Sequence, residues 1–174
     1  MSADVVLVSP SGRHPDCWTR VVQALPNGVK PWLPSTFGLS FKEQVAAVER
    51  FLDKNELRRV VLAGHGTGAD VAATVAVRSP GRVRALVLSH PAGILPGRAG
   101  LRFVPAFGER RKALKLLADI DWPGKPLPER TLALLVDGQG LEGASVTALP
   151  RGERPYFDAD PARLAGIIAR EATA

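Results

Sequence analysis

Short apolar runs alternate along this chain with segments whose apolar residues recur at helical spacing, and no other feature limits the fold as strongly. The runs at residues 4–9 and 59–63 have the length and composition of buried strands, and each precedes a helix-period segment. Strand, crossover helix and strand in succession produce a parallel sheet with helices on both faces. The sequence therefore predicts one α/β domain over residues 1–174, with a doubly wound, mostly parallel, six-stranded sheet.

Two of the predicted helices have explicit start signals. Ser40 and Glu43 have the spacing of a capping box, and Asp160-Pro161 supplies an N-cap followed by a first-turn proline. The stretch 91–128 begins rich in Gly and Pro and is predicted to be a reduced lid or connector. The predicted strands are residues 4–9, 29–33, 59–63, 83–89, 131–136 and 144–149, and the predicted helices are residues 16–25, 67–77 and 109–120 and those that start at 41 and 161.

Composition narrows the class of partner. With 45% hydrophobic and 23% charged residues, 174 residues suffice for one packed domain, and no apolar run reaches the ~18 residues of a membrane span. The N-terminus lacks the basic segment of a signal peptide and Cys17 is the only cysteine, so we expect a cytoplasmic location.

The net charge of +6 comes mostly from scattered arginines without interleaved aromatic residues, which argues against nucleic acid. We expect a small carbonyl-bearing or anionic ligand, or an acidic protein partner, and no membrane.

Residues 60–69 contain a strand, a glycine-rich turn and the start of a helix. The turn is Gly64-His65-Gly66-Thr67-Gly68, which matches the G-x-S-x-G nucleophile elbow except that glycine occupies the serine position. A phosphate-binding P-loop would need a Lys-Ser/Thr pair after the glycines. A dinucleotide fingerprint would need a glycine at position 69, where this chain has alanine. The pattern therefore favours an elbow that has lost its nucleophile.

The chain resembles the α/β-hydrolase superfamily over nearly its whole length. Residues 5–25 are similar to the family's first conserved strand, oxyanion loop and helix, and residues 60–69 are similar to its elbow. Residues 83–91 resemble the strand after the nucleophile helix, and residues 131–138 and 149–161 resemble the segments that carry the catalytic acid and histidine. The family's preceding strands and most of its cap domain have no counterpart, so the resemblance implies a minimal, nearly lidless member.

The departures from this pattern concern all three positions of the catalytic triad. Gly66 has no hydroxyl, the acid position falls on Leu141 and the histidine position falls on Glu153. No histidine occurs after His90. A single serine-to-glycine replacement would account for position 66, but it would not account for the missing histidine. The resemblance therefore implies a hydrolase scaffold with a degenerate triad.

In this family the oxyanion hole is the part of the catalytic site that can bind an oxygen atom without a nucleophile. The resemblance places one backbone donor at Thr67 and the other at Ser11 or Gly12, in a loop that begins at Ser9. These N–H groups would bind an anion or polarise a carbonyl even with glycine at position 66.

All three histidines lie in predicted loops at the ligand end of the sheet. Two of them are candidates for an acid, a base or a hydrogen-bond donor: His14 in the oxyanion-type loop and His90 after the fourth strand. An equal alternative is that both are surface residues without a function. His65 is expected to support the turn. Because the histidines do not have ligand spacing, we predict neither a metal site nor a cofactor. Cys17 begins a helix, where a lowered thiol pKa is conceivable, but a lone cysteine beside a tryptophan is more typical of a core.

Three functions remain open from the sequence. The first is a non-hydrolytic enzyme of lyase, cyclase or isomerase type, in which the oxyanion donors polarise a carbonyl above Gly66 and His14 or His90 moves the proton. The second is a pseudo-hydrolase that only binds a ligand or a partner protein. The third is an esterase or thioesterase with a mutated or unusual triad. We expect the first, since removal of the serine would prevent unwanted acyl transfer.

Overall fold

The protein is built around one parallel sheet. A computed structural model describes residues 2–89, 130–135, 145–148 and 156–174. Its strands are β1 (Ala3–Val8), β2 (Val29–Trp32), β3 (Val60–His65), β4 (Val83–Ser89), β5 (Arg130–Leu135) and β6 (Ser145–Ala148). They lie in the order β2-β1-β3-β4-β5-β6, and every neighbouring pair is parallel. The predicted six-stranded, doubly wound α/β fold is confirmed.

Both predicted helix caps are present. The backbone N–H of Ser40 donates to Glu43 Oε2 at 2.8 Å, and Asp160 Oδ1 accepts from the backbone N–H of Arg163 at 3.1 Å. No helix in the described ranges is long and apolar enough to cross a membrane. The helices are α1 (Thr19–Ala24), α2 (Phe41–Lys54), α3 (Thr67–Arg78), α4 (Tyr156–Ala159) and α5 (Pro161–Thr173), with short 3-10 helices at Pro15–Trp18 and Pro80–Arg82.

A hydrophobic core lies on each face of the sheet. Along β1 successive side chains point to opposite faces, so that Val6 and Val8 belong to one core while Val5 and Leu7 belong to the other. The first core is completed by α2 and α3, and the second by α1, α4 and α5. Burial on both faces explains why the central strands read as continuous apolar runs in the sequence.

The direction in which the chain winds reverses between β1 and β3. β1 and β3 are adjacent, with Val8 beside Gly64 at their carboxyl ends, whereas β2 lies on the far side of β1. In doubly wound sheets this reversal opens a crevice at the carboxyl ends of the strands, where ligands bind. The crevice therefore lies between the loop after β1 and the turn between β3 and α3.

Most predicted boundaries differ from the observed ones by one or two residues, and two of the differences have a clear cause. The single helix expected over residues 16–25 is a 3-10 helix followed by α1, and it stops one residue early because Leu25 precedes Pro26, which disfavours a helical conformation at Leu25. β3 continues to His65, since its pairing with β4 extends as far as Ser89. The helix predicted at 109–120 and the lid or connector predicted at 91–128 lie outside the described residues.

Two phenylalanines at opposite extremes of burial give a test of the core. Phe157 on α4 is fully buried against Trp18, whereas Phe37 is 46% exposed. We expect Phe157→Ala to lower the free energy of unfolding by about 3–5 kcal/mol, because it deletes a buried ring and leaves a cavity. Phe37→Ala, the comparison variant, should lower it by about 1 kcal/mol or less, because this half-exposed ring stacks on the exposed ring of His14. Urea denaturation measures both, and equal losses would contradict the assigned core.

Candidate functional site

The turn between β3 and α3 has an unusual backbone at its centre. Gly66 has φ 57° and ψ −123°, a conformation that L-residues with side chains rarely adopt. Its N–H donates to the Ser89 carbonyl at 3.0 Å, and its own carbonyl accepts from the Ala69 N–H at 3.1 Å. The position where a nucleophile would stand is therefore held in a strained strand-to-helix turn, the geometry of a nucleophile elbow.

The flanking glycines are required by close backbone contacts. A Cβ on Gly64 would overlap the carbonyl of Gly68, and a Cβ on Gly68 would overlap the carbonyl of Val8. A Cβ on Gly66 would meet only the Cβ of Pro10, at 3.8 Å. The outer glycines thus allow α3 to approach β1 and β3, whereas position 66 has room for a side chain that this chain does not carry.

The predicted oxyanion loop lies against the start of α3. The Ser11 N–H donates to Thr67 Oγ1 at 2.6 Å, and the Arg13 N–H donates to the Pro10 carbonyl at 3.1 Å. Gly12 has φ +77°, which closes the turn. Ser9 is fully buried at the base of the loop. The structure therefore brings Ser11 and Thr67 into direct contact.

Gln44 is a residue of this region that the sequence reasoning missed. It is 1% exposed, and its Nε2 donates to Ser11 Oγ at 3.0 Å and to the Leu39 carbonyl at 2.9 Å. It ties the oxyanion loop to the segment before α2. The sequence did contain a signal for its burial. Gln44 lies three residues after Phe41 and four before Val48, so it falls on the apolar face of a predicted helix.

The three histidines differ in their surroundings. His65 Nδ1 is 2.9 Å from Ser89 Oγ, and its ring packs edge-on against Phe157 at 5.1 Å, so this side chain braces the elbow. His14 is exposed, and its ring stacks on Phe37 with centroids 3.8 Å apart. His90 lies outside the described residues, as do the triad positions Leu141 and Glu153.

An ion pair links the oxyanion loop to the C-terminal helices. Arg13 contacts Asp158 at 3.2 Å, and its guanidinium lies 5.6 Å from the centre of the Phe157 ring. Arg20 donates to the Asp158 carbonyl at 3.3 Å. In the part of the chain that the structure describes, no group of three His, Cys, Asp or Glu residues is placed to hold a metal ion.

Cys17 does not have the environment of an activated thiol. Burial raises its pKa above the ordinary value and outweighs the opposing effects of the Ser9 hydroxyl and the Arg13 charge. Its Sγ lies 3.7 Å from Ser9 Oγ. The direction of this shift agrees with the core environment that the sequence favoured and not with the alternative of a lowered thiol pKa.

No protein-family model matches the chain, but one curated enzyme does. The 2-hydroxymuconate semialdehyde hydrolase of Pseudomonas sp. strain CF600 is 30% identical over 117 residues. The match covers 58% of this chain and 41% of that enzyme, so this chain aligns with less than half of its curated relative.

Solved structures with the same architecture include several hydrolases. A haloalkane dehalogenase from Bradyrhizobium elkani is 13% identical with a TM-score of 0.73, over 99% of this chain and 91% of that one. Another from Agrobacterium tumefaciens is 15% identical with a TM-score of 0.73, over 99% and 89%. An extracellular α/β-hydrolase from a Paenibacillus species is 14% identical with a TM-score of 0.68, over 99% and 100%. This chain has the α/β-hydrolase fold, which confirms the fold that the sequence resemblance implied.

Gly66 and Gly68, two of the elbow glycines, should respond differently to an added methyl group. Gly66→Ala has space and should cost about 1–3 kcal/mol of stability from backbone strain alone. Gly68→Ala should cost about 3 kcal/mol or more, because the methyl group overlaps backbone that cannot move away. Gly81→Ala, at an exposed position with open space, is the control. Thermal unfolding of the four proteins measures the order, and a Gly68→Ala protein as stable as Gly66→Ala would contradict the geometry.

The raised pKa of Cys17 predicts slow alkylation near neutral pH. Only the thiolate reacts, so a raised pKa lowers the reactive fraction at pH 8, and the rate should keep rising as the pH passes the ordinary pKa of a thiol. Iodoacetamide labelling followed by mass spectrometry measures the rate at each pH. The urea-unfolded chain, whose thiol has an ordinary pKa, should react faster at pH 8; equal rates would be inconsistent with a buried thiol.

Proposed function

We propose that this chain is a binding protein on the α/β-hydrolase scaffold, which holds a small carbonyl-bearing or anionic molecule above Gly66 without forming an acyl-enzyme. The observation that carries this proposal is the elbow itself. Its strained backbone is kept at φ 57°, and there is room for a side chain at the centre of the turn, yet the residue there has no nucleophilic atom.

The ligand class follows from the groups that surround this position. The backbone N–H of Thr67, the first residue of α3, has no acceptor within its own helix, and the N-terminus of a helix favours negative charge or an acceptor oxygen. Ser11 and Gly12 supply further N–H groups in the facing loop. The curated relative is named for a semialdehyde, which is a carbonyl compound, and this supports the same ligand chemistry here.

A non-hydrolytic enzyme is the second candidate, and the placement of His14 in the same loop as Ser11 and Gly12 favours it. In that case the loop donors would polarise a carbonyl and the exposed imidazole would move the proton. The stacking of His14 on Phe37 holds the ring at the surface, which is why binding without turnover ranks first. His14→Ala separates the two candidates: an enzyme that uses His14 should lose turnover while keeping its affinity for the ligand, whereas a binding protein has no turnover in either form.

Restoring the serine tests whether the original hydrolysis can return. We expect Gly66→Ser to fold, because the Cβ has space, and to show no turnover of p-nitrophenyl acetate above the Gly66→Ala control. The physical reason is that a serine hydroxyl needs an adjacent base, and the chain has no histidine after His90. A burst of p-nitrophenol from Gly66→Ser alone would support the esterase alternative and contradict this proposal.

Ligand binding can be located by amide chemical shifts in a titration. 2-Oxopentanoate carries both a carbonyl and a carboxylate and should shift the backbone amides of Ser11, Gly12 and Thr67 first. Shifts confined to exposed arginines such as Arg170, in the last turn of α5, would identify non-specific attraction of an anion to a positively charged protein and would rule out the proposed site.

A further inference from the structure

One side chain in the candidate site occupies the position that a ligand oxygen should take. The Ser11 N–H, one of the two expected oxyanion donors, is not directed at an open site but donates to Thr67 Oγ1 at 2.6 Å. This distance is short for an N–H···O hydrogen bond, whose usual value is about 2.9–3.0 Å. The hydroxyl oxygen therefore lies where an acceptor oxygen of a ligand would have to be placed to use this donor.

We propose that the ligand-free site is closed by its own Thr67 hydroxyl, and that a carbonyl or carboxylate oxygen enters by displacing that hydroxyl from Ser11. This inference rests on the proposed function, since it assumes that the ligand binds above Gly66. The group that competes with the ligand is the Thr67 hydroxyl, and the donor for which they compete is the Ser11 N–H.

The loop side of this contact is fixed. Gln44, which is 1% exposed, donates to Ser11 Oγ at 3.0 Å and to the Leu39 carbonyl at 2.9 Å. The Arg13 N–H closes the loop on the Pro10 carbonyl. The Ser11 amide is thus held in position from behind, and the loop does not need to move for a ligand to reach it.

The helix side can move. Thr67 is half-buried and is the first residue of α3, after the turn at Gly66. Threonine in a helix populates two χ1 rotamers, so rotation about one bond withdraws the hydroxyl without disturbing the backbone. The same residue keeps its backbone N–H at the helix start, where it becomes a second donor to the incoming oxygen.

A second observation points to a polar ligand at this place. The Oε1 of Gln44 is buried and has no hydrogen-bond donor among the described residues. It belongs to the amide group whose nitrogen contacts Ser11. A buried acceptor without a donor is costly, and a carbonyl or carboxylate oxygen cannot donate to it. A bound water between Oε1 and the ligand oxygen would satisfy it, because water can donate to both.

Displacement has a measurable consequence. Any ligand that uses the Ser11 donor must first break its hydrogen bond to Thr67, so the apparent affinity is reduced by the population of the closed state. A net hydrogen bond of about 1 kcal/mol corresponds to a roughly fivefold factor in affinity. Removal of the hydroxyl should therefore strengthen binding, which is the opposite of what the loss of a ligand contact would do.

The experiment uses Thr67→Val, which keeps the branched shape but removes the acceptor. Thr67→Ala serves as a second variant if valine disturbs folding, Thr67→Ser retains the hydroxyl, and Thr173→Val controls for the same replacement at the C-terminus. In the ligand-free proteins we expect hydrogen exchange at the Ser11 amide to be at least fivefold faster in Thr67→Val than in wild type. Thr67→Ser should restore the protection. Unchanged exchange in Thr67→Val and Thr67→Ala would overturn the proposal without any reference to a ligand.

Titration of the same proteins with 2-oxopentanoate and with 2-pentanone completes the test, since the first probe offers a carboxylate and a carbonyl and the second only a carbonyl. Whichever probe binds should have a roughly fivefold lower Kd for Thr67→Val than for wild type. Its Kd for Thr173→Val should equal that for wild type. Equal or weaker binding to Thr67→Val would overturn the closure by Thr67 while leaving the proposed function intact. Failure of both probes to bind any of the proteins would overturn the proposed function and this inference with it.

Discussion

The close approach of α3 to β1 and β3 is the constraint on which the site depends. It is possible only because Gly64 and Gly68 have no Cβ, since a methyl group on either would overlap backbone that is itself fixed in the sheet or the helix. This contact places the first turn of α3 directly beside the loop that follows β1. The crevice formed where the sheet reverses its winding is therefore lined by backbone N–H groups, and the rest of the candidate site is arranged around them.

The elbow shows that its backbone geometry and its nucleophile are separable. Gly66 has the strained conformation, and its N–H is held by the Ser89 carbonyl, whereas His65 and Phe157 pack beneath the turn. None of these interactions needs a serine hydroxyl. Because the strain is carried by glycine, the turn costs less here than it would with a larger residue at its centre. The backbone of the turn is therefore maintained by contacts that are independent of the residue type at its centre.

The contact between Ser11 and Thr67 gives the candidate site a defined resting state. A buried glutamine holds one partner, and a side chain with two accessible rotamers supplies the other. Such an arrangement satisfies a backbone donor that would otherwise depend on water or ligand for its hydrogen bond. Under the proposed displacement, a ligand oxygen would compete with the Thr67 hydroxyl for the Ser11 N–H.

The sequence by itself determined the fold class, the two capped helix starts and the elbow, because each depends on local spacing: apolar periodicity, a Ser-x-x-Glu pair, and glycines at positions 64, 66 and 68. It could also show that no histidine follows His90. Only the tertiary structure decided that Ser11 is bound to Thr67, that Gln44 holds Ser11, and that burial raises the pKa of Cys17. These are contacts between residues far apart in the chain, or consequences of removal from water. The local sequence pattern does not predict them, because they form only when the sheet and its helices pack together.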